Sequence, residues 1–221
     1  MKTLNISKLS AIGFIVILVL LHIINPEIDP TWQPISVYAL GKMGWLMNVA
    51  FFLFGLSFFT LGLYIFQNFK SPGAKIGGVL LILAAIGNFT AGIFNTDPVD
   101  TLPEQITTSG NIHVGAAGLL GFMILATLFI SYQFYKQEKL RPYRVRVLLA
   151  TVFVLIIEIV MISAMGVYLS DTDGMLTPDT PIGGIGRLVI LSCSIWVFIT
   201  ASTFQKATYP KVSPNYMTGS G

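Results

Sequence analysis

The sequence predicts an all-α protein, a polytopic transmembrane helical bundle with about six spans and both termini on the cytoplasmic side. Two observations lead to this fold class. Of the 221 residues, 54% are apolar and only 10% are charged, whereas a soluble domain carries about 25% charged residues. The apolar residues are also collected into long runs that short polar segments separate. This composition excludes a soluble globular enzyme, and the net charge of +3 therefore does not indicate a nucleic-acid-binding protein.

The number of spans follows from the length of helix that a bilayer requires. About 20 apolar residues cross the hydrocarbon core, and six segments meet this requirement. Breakers such as Ser71-Pro72-Gly73 and Thr96-Asp97-Pro98 stand between them, where turns are needed. No loop is long enough for a second domain, so we expect one integral membrane domain over residues 1–221, with a short cytoplasmic tail at 205–221. The spans are expected near residues 9–24, 43–66, 76–95, 112–135, 145–169 and 182–204.

The first span resembles a secretory signal, because Lys2 and Lys8 precede its apolar run. A cleaved signal peptide would end in a small-x-small site. The run instead leads directly to Asn25-Pro26 without such a site. We therefore expect this segment to be retained as the first membrane span.

Spans two, three and four contain small or short polar residues at helical spacing. Transmembrane helices associate through small residues, because apolar side chains gain nothing by leaving lipid. We therefore expect helix packing at these positions, either within the chain or between copies in a homo-oligomer. The positions are Asn48, Gly55 and Gly62 in span two, Ala84, Asn88 and Gly92 in span three, and Ala117 and Gly121 in span four.

The charged residues predict the orientation. Of the 13 Lys and Arg residues, all but Lys42 and Arg187 fall on one side of the predicted topology. Cationic loops stay in the cytoplasm during insertion, so we expect a multi-pass protein of the inner (cytoplasmic) membrane. Most acidic residues lie on the opposite, outer side, which would attract cations. These are Glu27, Asp29, Asp97, Asp100, Glu104, Asp171, Asp173 and Asp179.

Polar side chains from at least five spans also concentrate toward the outer side. A polar group in lipid costs free energy unless it has a partner or lines a water-filled cavity. We therefore expect an outward-facing polar pocket that binds a small or lipid-derived ligand. The pocket residues are expected to be His22, Asp29, Ser36, Tyr38, Asn48, Asn88, Asp97, His113, Glu158 and Arg187.

Glu158 stands near the middle of span five, where an ionised carboxylate is costly unless it is paired. Arg187 is the expected partner, because it lies about one turn inside the neighbouring span six. The two residues would form a structural ion pair, unless Glu158 is protonated and bonded to a backbone carbonyl. A proton relay or a substrate clamp is the functional alternative.

The first outer loop, residues 29–41, contains two prolines and the aromatic residues Trp32 and Tyr38. Prolines restrict the backbone, and Trp and Tyr are enriched at the membrane interface. We therefore expect an ordered loop that acts either as a lid over the pocket or as an aromatic anchor.

The candidate catalytic residues are His113 as a general base, Asp97 to orient it, and Ser36 as a nucleophile. His22, His113 and Asp97 are residue types that could hold Zn²⁺. No His-x-x-x-His or Cys-x-x-Cys spacing supports a metal site, so no metal or other cofactor is predicted. The single cysteine, Cys193, excludes an internal disulfide.

Several outer-side segments also share a pattern: Ile35–Gly41 with Gly44–Asn48, then Gly92–Asp97, then Ile112-His113. Together they resemble the DUF998 family of prokaryotic integral membrane proteins, and the resemblance extends from span one through span six. It implies a polytopic membrane fold, and the family carries no assigned function. The residues that the resemblance marks as a signature are Ser36, Tyr38, Gly92, Asp97 and His113.

Ligand binding in the outer pocket is the leading hypothesis, with membrane lipids as the expected partners. Three other classes stay open. The chain could be an outer-leaflet lipid hydrolase or transferase, with or without a metal. It could be a proton-coupled transporter that uses Glu158, or a non-catalytic membrane assembly subunit.

Overall fold

A computed structural model of the chain describes residues 1–170 and 175–208. All regular secondary structure within these residues is helical, and six spans are long and apolar enough to cross a membrane. The predicted fold class is confirmed, and the chain is a multi-pass integral membrane protein. The acidic residues Asp171 and Asp173 and the segment 209–221 of the predicted tail lie outside the described residues. The helices are α1 (Lys2–Ile24), α2 (Trp45–Asn68), α3 (Pro72–Ile93), α4 (Thr108–Gly118), α5 (Gly121–Lys136), α6 (Arg144–Tyr168) and α7 (Ile182–Thr208).

The fourth predicted span is divided into α4 and α5 by a tight turn. The Leu119 N–H donates to the carbonyl of Ala116 at 3.1 Å, and the Leu120 N–H donates to that of Ala117 at 3.0 Å. These bonds reach back three residues instead of four, which tightens the helix locally. The span remains continuous enough to cross a membrane, over Thr108–Lys136.

Side chains cap the starts of two helices, and the first of these starts lies at the predicted breaker Ser71-Pro72-Gly73. Ser71 precedes α3, its hydroxyl accepts from the Ala74 N–H at 3.4 Å, and Pro72 occupies the first helical position. Thr107 precedes α4 and accepts from the Gly110 N–H at 3.0 Å. Both side chains satisfy backbone donors that have no partner inside the helix.

The helices form a closed ring in chain order. Each span packs against the next, and α7 returns to α1. α2 and α3 approach each other closely: a Cβ added to Gly62 would lie 2.7 Å from the Gly78 carbonyl oxygen, and one added to Gly55 would lie 3.0 Å from that of Ala85. The small residues of spans two and three are therefore used for packing within the chain.

The bundle has two chemically different ends. The acidic end carries the loops 25–44, 94–107 and 175–181, and the basic end carries the loops 69–71 and 137–143. In the half of the bundle toward the basic end, side-chain hydrogen bonds join α5, α6 and α7. The Trp196 Nε1–H donates to Thr151 Oγ1 at 2.8 Å, and Ser131 Oγ lies 2.6 Å from the same oxygen. The membrane face toward which each end points stays a prediction.

Candidate functional site

A cavity of about 520 Å³ lies in the half of the bundle toward the acidic end. Its walls come from α2 to α7 and from a short 3₁₀ helix, Ile35–Leu40, in the first loop. The lining is mostly apolar, with Phe51 and Phe54 on one side and Met161 and Val189 on another. This character differs from the polar pocket that the sequence predicts.

The exposed lining residues of α4 and α6 indicate that the cavity opens sideways between these two helices. α4 packs on α3, whereas α6 packs on α5 and α7. Lining residues on the facing sides of α4 and α6 stay exposed, including Val114 at 65% and Met165 at 42%. Cβ atoms added to Gly118 and Gly121 would meet no atom within 4 Å, which marks open space beside the turn between α4 and α5. In a membrane, this opening would face lipid.

Residues of the first loop line the acidic end of the cavity, and the loop's roles as a lid or as an aromatic anchor both stay predictions. Ser36 is among the loop residues that line the cavity. The Gly184 N–H at the start of α7 donates to the Thr31 carbonyl at 2.7 Å. A Cβ added to Gly183 would lie 2.5 Å from the Trp32 carbonyl carbon, so only a glycine allows this close contact.

Arg187 holds this loop in place. Its Nη1 donates to the carbonyl of Gln33 at 2.6 Å and to that of Pro30 at 3.0 Å. Its Nε donates to His22 Nε2 at 2.9 Å, and its Nη2 donates to the Tyr38 hydroxyl at 3.3 Å. We call these five residues the latch, because the guanidinium joins the loop to α1 and α7.

The tautomer of His22 follows from its two contacts. His22 Nδ1 lies 2.7 Å from the Leu18 carbonyl oxygen, which can only accept. Nδ1 therefore carries the proton, and Nε2 accepts from Arg187. His22, Tyr38 and Arg187 thus serve the latch and do not line the cavity.

The expected ion pair between Glu158 and Arg187 does not form. Among the described residues, Lys42 and Glu27 make the side-chain ion pair within 4.0 Å, with Nζ and Oε1 3.7 Å apart. The arginine turns toward the loop because two backbone carbonyls there, with the Gly183 carbonyl of α7, match its donors. Glu158 is left partly buried in the cavity wall, and it accepts no hydrogen bond from the described part of the chain.

Three further predicted residues line the cavity: Ser36, Asn88 and His113. His113 is 4% exposed, and its Nδ1 lies 2.7 Å from the Phe94 carbonyl oxygen, so Nδ1 donates and Nε2 keeps its lone pair. Asn88 is 8% exposed, and its amide donates to the Ala84 carbonyl at 2.9 Å. The Asn88 Oδ1 and the Ser36 hydroxyl have no hydrogen-bond partner among the residues that the structure describes.

Asp97 and Asn48 order loops outside the cavity. The Asp97 carboxylate accepts from the Thr107 N–H and from the Thr107 hydroxyl, both at 2.8 Å. The Asn48 amide donates to Asn95 Oδ1 at 2.9 Å and to the Gly92 carbonyl at 3.1 Å. These bonds hold the loop 94–107 against α2 and against the start of α4.

Asp29 has a local role in the first loop. Its carboxylate accepts from the Thr31 hydroxyl at 2.6 Å and from the Thr31 N–H at 2.8 Å. These hydrogen bonds stabilise the ionised form and lower the pKa of Asp29 below its ordinary value. Asp29 is therefore a turn-forming residue that shapes the segment held by the latch.

The candidate catalytic and metal-binding residues are not joined to one another. Within residues 1–170 and 175–208, no hydrogen bond links any two of Ser36, Asp97 and His113. The same ranges contain no group of three or more His, Cys, Asp or Glu side chains placed to hold a metal ion. Asp97 is committed to Thr107, and His22 is committed to Arg187.

Sequence reasoning missed the apolar wall of the cavity. Ala117 and Gly121 line it where packing was expected, and Gly118 and the α6 residues Met161 and Met165 line it as well. The spacing of Ala117 and Gly121 was visible in the sequence. It carries the same small-residue pattern as α2 and α3, so the pattern by itself does not separate a packed face from a cavity wall.

Comparison with known proteins adds one relation. A family model described as "Protein of unknown function (DUF998)" matches residues 9–203. No curated protein and no solved structure matches the chain significantly.

Proposed function

The chain belongs to the DUF998 family, and we propose that its cavity binds the apolar part of a membrane-derived amphiphile that enters between α4 and α6. The observation that carries this proposal is an apolar cavity between helices long and apolar enough to cross a membrane, with exposed lining residues on α4 and α6. Its volume of about 520 Å³ falls in the range of about 300 to 1,000 Å³ that is typical of small-molecule sites.

Physical reasoning favours a lipid-like occupant over water or an empty space. Water needs two to four polar partners, and an apolar wall supplies few of them. An empty cavity would forfeit the dispersion contacts of its lining. A hydrocarbon chain restores these contacts without any cost for removing polar groups from water.

The latch and the first loop close the cavity at its acidic end. Because Arg187 and the Gly184 N–H hold the segment 30–34 across the acidic end, exchange would take place with the bilayer through the side opening. We further propose that the acidic end faces outward across the inner membrane, because Lys and Arg residues concentrate at the opposite end. The site would then sample the outer leaflet.

Lipid retention by cavity-filling variants tests this function. In Gly118→Leu the new side chain would enter the cavity without a backbone clash, and Gly121→Leu would act in the same way. Gly115→Leu is a matched control on the same span, because its Cβ also meets no atom within 4 Å but Gly115 does not line the cavity. Lipid that remains bound after purification in mild detergent would be measured by mass spectrometry.

We expect Gly118→Leu and Gly121→Leu to retain about tenfold less lipid than the wild type, which corresponds to about 1.4 kcal/mol of lost binding free energy. Gly115→Leu should retain the wild-type amount. Equal retention in all four proteins would refute the proposed function, and so would a wild-type protein without bound lipid.

A further inference from the structure

We infer that the cavity selects amphiphiles whose polar group is a cation, namely an alkylammonium group held by Glu158. This inference rests on the proposed function and concerns the chemistry of its ligand. Two observations support it: the polar atoms of the cavity wall are mainly hydrogen-bond acceptors, and no Lys or Arg side chain is among the described lining residues.

The polar atoms that the wall offers are mainly acceptors. Glu158 presents carboxylate oxygens without a partner in the described chain, and it lies between apolar neighbours on α6. His113 Nε2 keeps a lone pair because Nδ1 donates to the Phe94 carbonyl. Asn88 uses one of its two amide N–H donors on Ala84, and its Oδ1 and second N–H stay free in the described chain. Ser36 contributes a hydroxyl that can donate or accept.

His113 and Asn88 are each more than nine-tenths buried, and both line the cavity. Their unmatched acceptor atoms remain accessible, because Thr200 Oγ1 is the fully buried side-chain polar atom without a partner in the described chain. A ligand that brings N–H donors would satisfy them. A ligand with a carboxylate or phosphate group would place further acceptors against them.

No Lys or Arg side chain lines the cavity in the described ranges. Arg187 follows the lining residue Gly186 on α7. The three nitrogens of its guanidinium form the hydrogen bonds of the latch. Lys42 pairs with Glu27 in the loop. The wall therefore offers one acidic side chain and nothing that would balance an anionic headgroup.

Because of the position of Glu158, a wall with one acidic and no basic side chain favours a cationic ligand. An ionised carboxylate at membrane depth is stabilised strongly by a nearby cation and poorly by an apolar wall. An ammonium group on an alkyl chain supplies that cation and brings N–H donors into a cavity whose wall contains several acceptors. The alkyl chain would lie along the apolar wall that Met161 and Phe54 help to form.

Photolabelling with three matched probes tests the inference. The protein would be reconstituted in phosphatidylcholine nanodiscs at neutral pH and exposed to alkyl diazirines of equal chain length that end in an amine, an alcohol or a carboxylate. Labelling of cavity peptides would be mapped by mass spectrometry and normalised to peptides from the lipid-facing surface of α1. The variants are Glu158→Gln, Gly118→Leu and the control Gly115→Leu.

We expect the amine to label the wild-type cavity about tenfold more than the alcohol, and the carboxylate to label it least. Glu158→Gln should reduce the ratio of amine to alcohol labelling to about one while alcohol labelling persists, which shows that the cavity itself is intact. Gly115→Leu should behave as the wild type. Equal labelling by amine and alcohol in the wild type would overturn the inference, as would a ratio that survives Glu158→Gln.

Failure of the proposed function has a different signature. In that case no probe would label cavity peptides above the α1 surface, or Gly118→Leu would label as strongly as the wild type with all three probes. Both results would also overturn the inference, because it depends on the cavity being a binding site.

Discussion

Replacing Arg187 by methionine should release the loop that roofs the cavity. Of the two loop carbonyls that Arg187 binds, Pro30 is exposed and can be rehydrated, whereas Gln33 is partly buried and lies at 2.6 Å. Counting only the Gln33 bond, the loss is that of one charge-assisted hydrogen bond, about 2 kcal/mol. This free energy corresponds to a roughly 30-fold larger population of the open loop.

Hydrogen exchange at the Gly184 amide reports this opening directly. Gly184 lies in the first turn of α7, where N–H groups have no partner inside the helix. Its protection therefore depends on the bond to the Thr31 carbonyl at 2.7 Å. In Arg187→Met we expect the Gly184 amide to exchange roughly 30-fold faster, while amides in the middle of α2 keep their wild-type rates.

Two further variants make the test specific. Glu27→Gln removes the ion pair with Lys42 in the same loop. The side chain of Glu27 is 52% exposed and that of Lys42 is 70% exposed. An exposed pair contributes little, so exchange at Gly184 should not change. Arg187→Lys keeps the charge but loses the planar fork, and it should give an intermediate rate. The latch would be refuted if Arg187→Met left the Gly184 rate within about twofold of the wild type, or if Glu27→Gln raised it equally.

Other predictions concern stability and ionisation. Thr151→Val removes the acceptor of the Trp196 N–H and should cost about 2 kcal/mol of unfolding free energy, seen as a lower unfolding temperature in detergent. Thr200 Oγ1 is buried without a partner among the described residues, so Thr200→Val should leave that temperature unchanged or raise it; equal losses in both variants would contradict this reasoning. Thr31→Val should raise the pKa of Asp29 toward its ordinary value in ¹³C NMR titrations, because the hydroxyl bond that contributes most to the lowered pKa is lost. Since the folded-state pKa of Asp29 lies below the unfolded value, its contribution to loop stability is present above the unfolded pKa and is lost as pH falls through the folded pKa.

The number of spans and their helical character could be predicted from the sequence because they depend on length and hydropathy. The six apolar runs and breakers such as Ser71-Pro72 define the spans, and hydrogen bonding forces each run to be helical in lipid. The turn at Leu119 and Leu120 could not be predicted, since its residues are as apolar as their neighbours. That turn sets the course of α4 beside the opening, so the cavity wall was also beyond prediction.

The predicted site residues were selected by depth, and depth does not say which helix faces meet. In the ring, α1 lies beside α7, which brings His22 to Arg187. Ser36, Asn88, His113 and Glu158 line the cavity instead. The polar residues predicted for one pocket therefore belong to three places: the latch, two ordered loops and the cavity wall. Only the order of the helices in the ring determines which residue lies in which place.

The separation of Glu158 from Arg187 has the largest consequence for function. Had they paired, each would have neutralised the other, and the cavity would present no net charge to a ligand. Instead the guanidinium is satisfied by neutral carbonyls, a hydroxyl and an imidazole at the acidic end, while the carboxylate stays in the apolar wall. Arg187 thus holds the first loop at the acidic end of the cavity and leaves Glu158 without an ion-pair partner in the described chain. In our proposal, the cation that pairs with Glu158 in a membrane is attached to an apolar chain.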